Sequence, residues 1–200
     1  MNFPTRLVEE AVTEIARLPG IGKKTAMRLV LHLLKADERA TIDLASALVN
    51  LRTKTRYCSQ CGHISEEELC AICSSTRRDP TLICVVEDSR DILAIEETHQ
   101  YQGLYHVLGG IISPMSGVGP AELNIDSLIE RCQSGIVKEI ILAISPTMEG
   151  DTTAFYLGKK LASCDVKISS IARGVPVGGE LEYTDSITLG RSILTRTLYQ

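Results

Sequence analysis

Two hundred residues, 44% of them hydrophobic, suffice for one large domain or two to three small ones, and with no Trp and only two Phe the core must be aliphatic. No apolar run approaches the ~20 residues that span a bilayer; Glu9, Glu10 and Glu14 interrupt the N-terminal apolar positions, which excludes a signal-peptide core, and seven cysteines, an odd number, argue against a secreted disulfide framework. The net charge of −4 is uneven, with ten Lys and Arg against six Asp and Glu in residues 1–56 but nine against fifteen in residues 81–200. A cytoplasmic protein is expected, with no membrane partner and with an anionic partner at its basic N-terminal part.

In chain order, Leu7, Val8, Ala11, Val12, Ile15 and Leu18 recur at helical spacing, which predicts a helix over residues 5–18. Pro19-Gly20-Ile21-Gly22 breaks it. A second helix follows, apolar at Ala26, Met27, Leu29, Val30, Leu33 and Leu34 and basic at Lys23, Lys24, Arg28 and Lys35; Asp43 to Leu51 reads as a third. The stretch from Leu18 to Ala26 resembles the helix-hairpin-helix motif of DNA-binding proteins. Gly20 and Gly22 let the backbone approach a phosphate closely, and the unpaired N–H groups opening the second helix carry the positive end of its dipole. Lys23 and Lys24 add charge beside them, with Arg28 one turn further on. Such contacts reach the phosphate backbone, so DNA binding should be sequence-independent and salt-sensitive. A P-loop is not formed, because Arg17 stands where its first glycine belongs and Lys24 replaces its Ser or Thr. The plain alternative is an ordinary αα-hairpin with a solvated basic face.

Cys58, Cys61, Cys70 and Cys73 form two Cys-x-x-Cys knuckles eight residues apart. Four thiolates at this spacing predict a closed, structural Zn²⁺ site with no open coordination position. His63 reads as a surface residue beside it. Cys84, Cys132 and Cys164 read as buried thiols.

From Thr81 the period changes. Leu82–Val86, Gly103–Leu108, Glu139–Ile144 and Val166–Ala172 read as strands, and Asp91–Glu97, Ile125–Cys132 and Thr152–Ala162 as helices, which implies a mainly parallel sheet with both faces covered. Ligands gather at the C-terminal strand ends of such sheets. Two of these ends are acidic, Glu87-Asp88 and Glu149-Gly-Asp151, and the latter pair reads as a loop presenting both carboxylates to one side. With Glu87 they can form a Mg²⁺ site, or they can cap helix N-termini. The pattern resembles the Toprim domain of topoisomerases and primases, which usually carries Asp-x-Asp where this chain has Glu149-Gly-Asp151. No residue stands out as a catalytic nucleophile. Residues 174–184 are Gly/Pro-punctuated, and Thr184 is placed to cap a last helix, 185–198.

Taken together, these residues resemble the RecR family of bacterial recombination mediators. The resemblance rests on Leu18–Lys24, the four cysteines, Ile83–Glu87, Tyr101–Gly110, Ser113–Pro120, Glu149–Ala154 and Gly174–Asp185, with Lys23 standing where the family usually has Pro. It implies an α/β multidomain fold: a helix-hairpin-helix DNA-binding domain (1–56), a four-cysteine zinc finger (57–80), a Toprim domain (81–173), and a C-terminal Walker-B-like segment with a helix for subunit contact (174–200). It further implies a non-enzymatic, nucleoid-associated mediator that binds single- and double-stranded DNA and works with RecO or RecF to load RecA on single-stranded DNA. It also implies self-assembly into a homotetrameric ring, with a dimer as the alternative. The family's DNA-contacting positions match Lys24 and Arg28, and its acidic Toprim positions match Glu87, Glu149 and Asp151, implicated in contact with RecO and in Mg²⁺ binding. The alternative from another class is a Mg²⁺-dependent Toprim nuclease or primase; a third reading is a plain zinc-stabilised interaction module.

Overall fold

The computed structural model describes residues 3–198 and divides them into two compact units, up to Thr55 and from Arg56 onward. In the first unit, α1 (Arg6–Ile15), α2 (Lys23–Lys35) and α3 (Glu38–Lys54) follow in turn. Thr5 caps α1 through its hydroxyl, and Asp37 caps α3 through its carboxylate. That cap starts α3 five residues earlier than the apolar pattern indicated, because Glu38, Arg39 and Thr41 interrupt the apolar residues there. Val8 and Val12 of α1 meet Ala26 and Val30 of α2, with Ile15, Ile21 and Met27 around them. Three valines and an alanine make a thin core. α3 buries none of its side chains, and Leu44, Leu48 and Leu51 lie exposed along it.

The second unit begins with a two-stranded antiparallel ribbon, β1 (Arg56–Tyr57) and β2 (Ile64–Ser65), which carries the first cysteine knuckle in its turn. A four-stranded parallel sheet follows, in the order β4-β3-β5-β6, from β3 (Asp79–Val86), β4 (Gly103–Val107), β5 (Glu139–Ala143) and β6 (Lys167–Ser170). Its connecting helices are α4 (Ser89–Glu97), α5 (Ile125–Gln133) and α6 (Met148–Leu161). The continuous apolar run in β3 resolves by alternation. Ile83 and Val85 face one core with Leu128, Leu157 and Leu161 of α5 and α6, while Cys84 and Val86 face the other with Ile92 of α4 and Tyr105. Cys84 and Cys132 are buried as expected; Cys164 is half-buried.

Two expectations shift in the C-terminal part. The last helix, α7 (Ser186–Leu194), is capped by Asp185, whose carboxylate accepts from the Ile187 and Thr188 N–H groups, and not by Thr184. More consequentially, Glu149 and Asp151 lie in the first turn of α6, which Thr147 caps, rather than in a loop. Among the described residues no helix is long and apolar enough to cross a membrane.

Candidate nucleic-acid interface and metal centre

The N-terminal hairpin is built by a tight turn. The Ile21 N–H donates to the Leu18 carbonyl at 3.1 Å, Pro19 occupies the second turn position, and Gly20 takes φ +79° at the third, the arrangement of a type II turn. Gly22 then serves as N-cap of α2 with extended φ and ψ, and no side chain caps the helix. Its φ of −80° is open to any residue, and a Cβ there would meet nothing within 4 Å. Neither backbone conformation nor packing among the described residues therefore asks for glycine at 22. Lys23, Lys24 and Arg28 are all exposed. Lys24, Arg28, His32 and Lys35 continue as a stripe along α2 that borders a shallow groove of about 430 Å³. Lys35 is among the basic positions expected on this helix; His32, eight residues after Lys24, joins the same face through the i, i+4, i+8 and i+11 spacing.

The four cysteines of the knuckles converge. Their sulfur atoms all lie within 4.8 Å of one another, and Cys61 and Cys70 approach to 3.6 Å. A tetrahedron with metal–sulfur arms of ~2.3 Å has edges of about 3.8 Å, so the cage fits Zn²⁺. Three of the four are buried and Cys73 is half-buried. The contact with Cys73, together with burial, pushes the Cys61 thiol far up, and burial raises Cys70. Burial also acts to raise Cys58, but N–H groups of Cys70, Cys61 and Gln60 outweigh it and bring that thiol down to about 7. Crowded thiolates of this kind ionise together only around a cation. The His63 and Cys73 N–H groups donate to the Cys61 and Cys70 sulfurs, each at 3.4 Å. His63 is half-buried with a buried, unpartnered Nδ1, not a surface residue as expected, because its backbone continues the knuckle turn.

At the acidic strand ends, Glu87 stands where the chain reverses direction across the sheet, between β3 and β5. Its Oε1 accepts from the Ser145 N–H at 2.6 Å, and its own N–H donates to Asp91, which completes a capping box with Asp88 at the start of α4. Asp151 instead faces the C-terminal segment. Its Oδ1 pairs with Arg173 and its Oδ2 with Arg191 of α7 at 3.3 Å. Those guanidinium groups, Arg173 foremost, hold its carboxyl below the usual range. Glu149 is half-buried. Among the described residues the four cysteines are the one group of three or more ligand side chains gathered closely enough to hold an ion. The structure thus does not draw Glu87, Glu149 and Asp151 together, for the helical turn and the two arginines hold the last apart.

Between Glu149 and Asp151, Gly150 is fixed by contact. A Cβ there would sit 2.0 Å from the Ser145 carbonyl oxygen. The close passage of α6 over the end of β5 sets where its two flanking carboxylates emerge, and only tertiary packing reveals it.

A parallel sheet with acidic strand ends, a four-cysteine zinc knuckle on its edge and a basic helical hairpin define a zinc-containing Toprim-type protein with a helix-hairpin-helix module. Family models match in the same order: RecR helix-hairpin-helix at residues 8–52, the RecR four-cysteine zinc finger domain at 55–75, Toprim domain at 81–172 and RecR C-terminal at 174–197. The chain is 63% identical to the recombination protein RecR of Cytophaga hutchinsonii over 201 residues, covering 100% of this chain and 98% of that one. It is 57% identical to that of Phocaeicola vulgatus (99% and 97% covered) and 56% identical to that of Flavobacterium johnsoniae (100% and 97%). The chain belongs to the RecR family of recombination proteins.

Proposed function

We propose that this protein is a non-enzymatic recombination mediator of the cytoplasm: a zinc-containing clamp that binds DNA through its hairpin and, with RecO or RecF, promotes RecA loading on single-stranded DNA. The observation that carries this reading is the hairpin itself. Gly22 opens α2 without a side-chain cap, and Lys23, Lys24 and Arg28 stand exposed beside the free N–H groups. Glu87 and Glu149 serve as an acidic partner-binding surface, and Asp151 belongs to it through the C-terminal segment that it anchors. Self-assembly into a homotetramer, or alternatively a dimer, draws support from α3, which buries nothing, and from exposed Leu181, Tyr183, Ile187 and Leu194 toward the other end of the chain. The nuclease or primase reading has weaker support, since Mg²⁺ at Asp151 would have to displace Arg173 and Arg191.

The test is the salt dependence of binding to a fluorescent oligonucleotide. Each lost phosphate contact makes the negative slope of log K against log[salt] shallower by about 0.7 on a single strand and 0.9 on a duplex. Lys24→Gln with Arg28→Gln should therefore flatten the slope by about 1.4 and 1.8 and weaken binding regardless of base sequence. An unchanged slope with unchanged affinity at low salt would refute the hairpin assignment.

A further inference from the structure

β4 is an edge strand, and the backbone groups on its outer side would otherwise be open. Leu108 N–H turns inward to the Val86 carbonyl of β3, so Tyr105 and Val107 point their N–H and C=O outward. Three of these outward groups have partners from elsewhere in the unit. The Val107 N–H donates to the Cys61 carbonyl at 2.7 Å, the Val107 carbonyl accepts from the Asn124 amide at 3.1 Å, and the Tyr105 carbonyl accepts from Nη1 of Arg131 at 2.7 Å. The zinc knuckle and the Arg131 guanidinium thus line the same edge. Tyr105 and Val107 are two residues apart, about 7 Å along an extended strand.

Arg131 comes from α5 and is held in place by a histidine. Its Nη1 also reaches Nδ1 of His106 at 3.2 Å, and Nε2 of His106 lies 2.7 Å from the Asn124 carbonyl. A guanidinium is a donor only, so Nδ1 must accept and Nε2 must carry the proton. The imidazole is therefore neutral, in keeping with burial that brings it down to about 4. The other nitrogen of Arg131, Nη2, is buried and has no hydrogen-bond partner. A buried cation with a spare donor is costly unless an anion lies near. Burial lowers the Arg131 guanidinium, and the opposing influences come from Cys73, Cys61, Cys132 and Cys58, in that order. Three of these four belong to the zinc cage. Four thiolates around one Zn²⁺ leave a net charge of about −2, and the backbone N–H groups at Cys61 and Cys70 neutralise it only in part.

We infer that Arg131 is a positioning residue of the zinc site: oriented by His106, its guanidinium compensates the excess negative charge of the tetrathiolate centre from within the β/α sheet domain. The metal's retention then depends on the sheet domain as well as on the four cysteines. Charge-compensating outer partners of a metal typically matter 10–100-fold in affinity.

The test uses the full chain and reads zinc affinity by competition with a chromogenic chelator, together with the sulfur-to-metal charge-transfer band of the Co²⁺-substituted protein. Arg131→Met, similar in length but neutral, is expected to release zinc at about 10–100-fold lower chelator concentration and to shift the charge-transfer band. Arg131→Lys keeps the positive charge but loses the fork. It should hold zinc within about fivefold of the parent while retaining most of the band position. Unchanged affinity and an unmoved band in Arg131→Met would overturn the inference. So would an Arg131→Lys variant that loses zinc as severely as Arg131→Met, for then shape and packing, not charge, would matter. If Arg131→Met folds only in excess zinc, the inference stands; if excess zinc restores neither variant, Arg131 is a packing residue and the inference fails.

Discussion

The contact at Gly150 makes a prediction whose sign reverses along a single helix. In Gly150→Ala the new methyl would lie 2.0 Å from the Ser145 carbonyl oxygen, and the obstacle is backbone, not a side-chain tip that can swing away. Relief requires α6 to lift from the end of β5 by more than an ångström. That helix is pinned by Leu157 and Leu161 in the core and by the Thr153 hydroxyl, which accepts from the Ile112 N–H at 2.9 Å. Overpacking of this kind costs about 1–3 kcal/mol, and each kcal/mol shifts the melting temperature of a chain this size by about 2–4 °C. A loss of about 4–8 °C is expected for a mid-range cost. Gly158 lies two turns further along the same helix, where a Cβ would meet nothing within 4 Å. There Gly158→Ala should raise stability by about 0.5–1 kcal/mol through helix propensity alone. Paired thermal melts by circular dichroism decide the matter. If Gly150→Ala melts with the parent, or if both variants move in the same direction, the close-approach argument is wrong. Because Gly150 sits between Glu149 and Asp151, the same variant should also displace those carboxylates and weaken any partner that reads them.

Two further outcomes rest on individual carboxylates held by arginine. Arg78, on the segment leading into β3, pairs with Glu96 of α4, and the Tyr105 hydroxyl donates to the same carboxylate at 2.7 Å. Arg78 foremost holds Glu96 below its ordinary value of 4.5, so the stabilisation is fully present above that pH and is lost as pH falls through the lower folded value. Glu96→Gln should cost about 1.5–3 kcal/mol at pH 7 by urea denaturation, and the gap from the parent should close in acid; a gap that is constant from pH 7 to pH 3 would contradict this. Asp151→Asn should loosen Arg173 and α7, because it removes the charge that both arginines share. Partly exposed pairs are worth at most about 1 kcal/mol each, so limited proteolysis within residues 174–179 should speed up about two- to fivefold at low salt. Equal cleavage rates would show that the network does not hold the tail.

Local signals were legible because their chemistry is local. The two Cys-x-x-Cys pairs need only short turns to converge, and the Pro19-Gly20 turn followed by uncapped Gly22 is specified within five residues. The apolar run of β3 announced a strand buried on both faces. The acidic strand ends are located by position, but their conformation is not legible: Met148 is the one apolar residue of the first turn and Gly150 reads as a breaker, whereas Thr147 starts the helix there. By itself the sequence determined the order of modules, the metal and its four ligands, and the basic hairpin, since each depends on spacing along the chain. Tertiary structure alone decided that Glu87 bonds Ser145 58 residues away, that Asp151 answers to Arg173 and Arg191, and that Arg131 shares the β4 edge with the zinc knuckle. Those pairings arise where strands and helices from distant segments are packed side by side, and no periodicity along the chain records which side chains will meet there.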